Sequence, residues 1–119
     1  MQAVEPLAGG ELNAALTRAL VGIQTEQLDH GPTRAIAFHR DNVVVAVMHG
    51  VLNGAEQALV HNGSHDDVDQ ARRLFRQVME ADFRTAVERL TGRRVIAFLG
   101  ANHLEPDVAA EIFVLDEPV

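Results

Sequence analysis

The run TRAIAFHRDNVVVAVMHG, residues 33–50, constrains the fold more than any other stretch of this chain. Two short segments rich in Val, Ile and Phe flank Asp41-Asn42, a dipeptide that tolerates the positive φ of a tight turn, so a β-hairpin is expected. With a two-residue loop, Ile36 faces Val47 and Phe38 faces Val45 on one side, while His39 and Met48 fall with Ala37 and Ala46 on the other. Both faces are apolar. Each therefore needs cover, by helices on one side and by a second subunit on the other.

The flanking segments supply the helices. Residues 1–10, with Pro6 and the Gly9-Gly10 pair, read as a flexible lead-in to a single domain over 11–117. From Glu11 to Leu28 the residues Leu12, Leu16, Ala19, Leu20, Ile23 and Leu28 recur at three- and four-residue steps, the stripe of an amphipathic helix, which HGP at 30–32 stops. Asn53, with Glu56 three residues on, opens a short helix closed by Asn62-Gly63. Ser64 then stands where an N-cap should, with Asp66, Asp67 and Asp69 after it and Val68, Ala71, Phe75, Val78 and Met79 as the apolar stripe. That pattern runs on through Phe83, Val87 and Leu90 to Gly92, as one long helix or two nearly collinear ones meeting near Asp82. RRVIAFLG and AAEIFVL read as two more strands joined by the loop ANHLEPD. The order α-β-β-α-α-β-β predicts an α+β domain, a four-stranded antiparallel sheet made of two hairpins with helices on a face.

Composition excludes several classes of function. The chain has no cysteine, which removes disulfides, thiolate nucleophiles and Cys-ligated metal. Its 119 residues carry a formal charge of −7, and all ten basic residues are arginine, so nucleic-acid binding is not expected. The absence of Trp and Tyr also removes the usual base-stacking platforms. No apolar run approaches the roughly 18 residues of a membrane span, and the start MQAVEPLAGG lacks a signal-peptide layout. A cytoplasmic location is expected, without insertion into the bilayer.

Three groups of side chains are candidates for chemistry. His61 and His65 have the i, i+4 spacing of paired ligands, but Asn62-Gly63-Ser64 between them is a helix stop and restart, and the stretch reads as a helix beginning. His103, Glu105 and Asp107 alternate in HLEPD and would point three metal ligands one way if that segment were extended, with His61 or His65 brought near by the fold. Arg34, Arg40, Arg93 and Arg94, with His39, are the candidates for binding a small anion or nucleotide. No phosphate loop, nucleophile elbow or HExxH pattern is present, so no catalytic residue is assigned and no cofactor is expected.

The ordered blocks LNAALTRALVGIQTEQLDHGPTRAIAFHRDNVVVAVMHGVLNGAEQALV and FRTAVERLTGRRVIAFLGANHLEPDVAAEIFVL resemble the MpsC-like family from about Glu11 to Leu115. The GP turn, DNVVV, GVLNGAE, LTGRRV and the closing IFVL carry most of the likeness, and Asn53-Gly54 departs from the Thr-Pro-like helix start such a chain is expected to have. The family takes its name from a sodium-translocating, membrane-potential-generating system. The resemblance implies an accessory or regulatory part in ion- or bicarbonate-linked energetics, exercised through a membrane transporter partner because this sequence cannot itself carry ions across a bilayer. The reading is a non-enzymatic homodimeric module. An anion or nucleotide sensor and a metal-dependent hydrolase built on the His103 loop are the alternatives.

Overall fold

The computed structural model describes residues 7–119. Helix α1 spans Gly9–Leu28, strands β1 Arg34–Arg40 and β2 Val43–His49, helices α2 Gly54–His61 and α3 His65–Thr91, and strands β3 Val95–His103 and β4 Val108–Leu115. The expected α+β order holds. Of the lead-in expected over 1–10, residues 1–6 lie outside the described residues, while Gly9 and Gly10 already belong to α1.

The four strands form one antiparallel sheet in the order β1-β2-β4-β3. The first hairpin turns at Asp41-Asn42, where Asp41 takes the left-handed φ of 54°. Its register puts Ile36 against Val47 and Phe38 against Val45, as the alternation predicts. The β4 strand then inserts beside β2, with Val44 opposite Phe113, Ala46 opposite Glu111 and Met48 opposite Ala109. The second hairpin is longer than the sequence suggests. β3 runs on through Asn102 and His103, so the connecting turn shrinks to Leu104–Asp107.

Helices α1 and α3 lie side by side on one face, α1 against β1 and α3 against β3. Leu12, Leu16 and Leu20 of α1 meet Val44, Ala46 and Met48 of β2 and Phe83 and Val87 of α3 in one core. At the α3 side three rings interlock: Phe98 stacks on Phe113 with centroids 4.9 Å apart, and Phe83 stands edge-on to both. α1 ends with Asp29, not Gly31, in the left-handed conformation, since a short polar side chain tolerates φ 53° there.

The α3 helix is a single unbroken element of 27 residues through Asp82, closed at Gly92, whose φ is 68° and whose N–H donates to Glu88 O. Ser64 holds the N-cap position without a side-chain bond to the helix. The apolar stripe needs correction. Val68 and Met79 are buried, but Phe75 and Val78 are exposed, and the covered face is completed by Arg72, Phe83, Ala86 and Val87. An inward arginine rotates the helix away from the face that apolar counting selects.

Phe83 is fully buried between both helices and the sheet. Phe83→Ala is expected to destabilise the domain by about 3–5 kcal/mol, read as a lower urea midpoint with an unchanged slope.

Candidate functional site

Two arginines of α3, Arg72 and Arg76, reach buried carboxylates on other elements, Glu56 of α2 and Glu111 of β4. Asn53 accepts the N–H of Glu56 at 2.9 Å and Glu56 Oε1 accepts that of Asn53 at 3.0 Å, so the expected cap of α2 is a full capping box. That box aims the Glu56 carboxylate at Arg72, whose Nε donates to Oε2 at 2.7 Å while Nη2 binds Oε1 and also donates to Val51 O at 2.7 Å. Burial alone would push the Glu56 carboxyl up. The hydrogen bonds from Arg72 and Asn53 and the nearby charges of Arg72 and His30 outweigh it and hold the group below its ordinary 4.5.

One helical turn on, Arg76 reaches the sheet. Its Nε donates to Glu111 Oε2 at 2.8 Å, and its Nη2 to Glu111 Oε1 at 2.8 Å and Asn102 Oδ1 at 2.7 Å. Glu111 is 1% exposed, on the covered face of the inner strand β4, and its ladder partner on β3 is Gly100. A Cβ at Gly100 would collide with the Arg76 guanidinium and a Glu111 carboxylate oxygen, so glycine is what lets the ion pair cross the strand. Burial pushes the Glu111 carboxyl up, and the bonds and charge of Arg76 only partly reverse that.

These clusters are closed. Among the described residues no buried side-chain nitrogen or oxygen lacks a hydrogen-bond partner, so the buried atoms of both ion pairs are satisfied within the chain.

The residues singled out in the sequence are dispersed. The turn at 104–107 splits HLEPD, because the segment is not extended: His103 Nδ1 lies 2.7 Å from Pro106 O, and Asp107 accepts the N–H groups of Val51 at 3.1 Å and Leu52 at 2.9 Å. Glu105 turns instead to the other two histidines, with Oε1 3.3 Å from His61 Nε2 and Oε2 3.9 Å from His65 Nε2. His61 and Glu105, with Leu52, Val60 and Leu104, border a cleft of about 260 Å³. Among the described residues no group of three or more His, Asp or Glu side chains is placed to hold a metal ion.

The arginines do not gather either. Arg34 and Arg40 sit at opposite ends of β1, about 20 Å apart by strand rise, and Arg93 and Arg94 lead into β3 at the far edge of the sheet. Arg34 Nη2 lies 3.1 Å from His49 Nε2, and Arg93 Nε donates to Pro118 O at 2.8 Å. Arg94 is exposed, with its N–H given to Asp116. His39 is on the covered face, its Nδ1 2.6 Å from Asn13 Oδ1.

The outer face of the sheet is what remains open. Ile36 is 58% exposed and Leu99 55%, with Phe38 and Ile96 also exposed and Val43, Val45, Val47, Ile112 and Val114 half-buried around them. No strand residue on this face is a carboxylate, although the chain has 17. The hairpin half of the face was legible in the alternation of residues 34–49. The β3 half is less legible, although V-I-A-F-L-G carries enough apolar residues to line two faces.

Burying a charge unpaired costs far more than burying the pair. Arg72→Met, which strands Glu56, is expected to destabilise the domain by about 3–5 kcal/mol. The folded chain holds Glu56 below its ordinary value, so its stabilisation is complete above about pH 4.5 and is lost as pH falls through the lower folded value. The stability gap between wild type and Glu56→Gln, measured by urea unfolding, should therefore narrow on acidification. A gap that stays constant with pH would refute that assignment.

A family model described as MpsC, Na+-translocating membrane potential-generating system, matches residues 8–117. Comparison with curated proteins and with solved structures gave no match.

Proposed function

We propose that this chain, which belongs to the MpsC family, is a non-enzymatic, homodimeric accessory or regulatory module of a membrane ion or bicarbonate system. The family description ties it to a Na+-translocating system that generates membrane potential. No helix among the described residues is long and apolar enough to cross a membrane. Work on an ion gradient is then done through a membrane transporter partner.

The observation that carries this reading is the outer sheet face. It is broad, apolar and free of carboxylates, so another protein surface can cover it without stranding a buried charge. The polar clusters, by contrast, are satisfied internally and hold α2 and α3 to the sheet. This is the layout of an interaction module.

Two measurements test the reading. Light scattering at micromolar concentration is expected to give about twice the 13.0 kDa chain mass, and a monomer would remove the homodimer. Cells lacking the chain should show a reduced Na+-dependent membrane potential with a potential-sensitive dye. Wild-type chain should restore it and Ile36→Asp with Phe38→Asp should not. An unchanged potential on deletion would remove the accessory role.

A further inference from the structure

The two edges of the sheet differ. On β1 the backbone N–H groups of Ala37 and His39 point away from β2, and α1 takes both: Thr17 Oγ1 accepts the first at 2.9 Å and Asn13 Oδ1 the second at 3.1 Å. That edge is sealed. On β3 the alternation of ladder bonds leaves Phe98, Gly100 and Asn102 with their backbone groups directed outward. Among the described residues, helix side chains bond the β3 backbone only at its first residue, where Glu88 accepts the Val95 N–H at 2.9 Å and Arg84 donates to Val95 O at 3.2 Å. From Ile96 to Asn102 the strand has no charge and no proline, the features that normally protect a free edge.

The side of α3 that borders this edge is patterned. Asp69, Arg73 and Arg76 line a recess of about 280 Å³ with Gly100, Ala101 and Asn102. Farther along, Glu80 and Arg84 follow on the same side. Within one chain the charges pair as Arg73–Asp69 at 2.9 Å and Arg84–Glu80 at 2.8 Å. Their spacing is symmetric about the Arg76-Gln77 bond: Arg73 and Glu80 lie equally far to either side with opposite charge, and so do Asp69 and Arg84. A two-fold axis at that level sets Arg73 against Glu80 of a second copy and Asp69 against its Arg84. The same level on the sheet is the middle of β3, because Arg76 binds Glu111, the ladder partner of Gly100.

We propose that two copies join antiparallel along β3, centred on Leu99, so that their four-stranded sheets continue as one; the inference rests on the homodimeric reading above. Full overlap of the nine-residue strand puts Leu99 opposite its own copy on the outer face, and Phe98 opposite Gly100 with their outward backbone groups paired. The seam satisfies the free ladder bonds and covers Leu99. The α3 charges fix register more than they add affinity.

The chain has no cysteine, so one introduced at Leu99 reports the seam. Opposite residues in a non-hydrogen-bonded antiparallel pair have Cα atoms about 4.5 Å apart, within disulfide range. Leu99→Cys is expected to form a disulfide-linked dimer on mild oxidation, whereas Ile36→Cys, equally exposed at 58% against 55%, is not. Arg73→Glu or Glu80→Arg alone should weaken the dimer by about tenfold, from two symmetric repulsive contacts. Mixing the two variants should restore it as a heterodimer, with folding checked by circular dichroism. A dimer that crosslinks at Ile36 and not at Leu99, and is indifferent to both charge variants, overturns the seam and leaves the homodimer standing. A wild-type monomer removes both.

Discussion

Glu111 stands on the covered face of an inner strand, and a carboxylate there is tolerated only while Arg76 reaches it from α3. Much else is tied to that contact. The guanidinium must pass over β3, so the strand carries glycine at position 100. The helix must present Arg76 inward, and Arg72, four residues earlier on the same side, is then brought against Glu56 and the Val51 carbonyl. Exchanging such a pair for apolar residues is often neutral in stability, so its role is read from the geometry it imposes. Two arginines choose the rotation of α3 about its axis, and Leu74, Phe75 and Val78 turn outward as a result.

The parts of the fold legible in the sequence are those set by local periodicity. Period-two alternation around Asp41-Asn42 fixes both the first hairpin and its register, because a one-residue slip would exchange every side chain between faces. Asn53 and Glu56 are readable as a cap because both hydrogen bonds lie within one turn. The α3 rotation was not readable. Hydrophobic counting treats arginine as a solvent residue, and the partners that draw Arg72 and Arg76 inward are 16 and 35 positions away in sequence. The signals present were a lone glutamate inside AAEIFVL and a glycine inside a strand, each of which marks a special contact without naming it.

The candidate site residues are dispersed for a related reason. Grouping His103, Glu105 and Asp107 assumes extended backbone, and a four-residue turn sends them to three different partners. Grouping the arginines assumes that the segments bearing them are neighbours in the sheet. Inserting β4 beside β2 instead sends β1 and β3 to opposite edges. Strand order is a non-local property, and alternation within a strand carries no information about it.

The distribution of charge distinguishes the two sides of the domain. The chain's carboxylates lie on the helices, turns and termini, apart from Glu111, which is paired with Arg76, while among the described residues the open sheet face has only Arg34 and Arg40 at its corners, with His49 and His103. An arginine at the rim can lay its apolar stem on a covering surface and keep its head in water, so the face can be buried without isolating a charge. The same cannot be said of the helical layer, whose exposed Asp66, Asp67 and Asp82 would have to be paired or desolvated by anything seated on them. A macromolecular partner is therefore accommodated at lower cost on the sheet side, and the helices that fix the sheet's shape stay toward solvent.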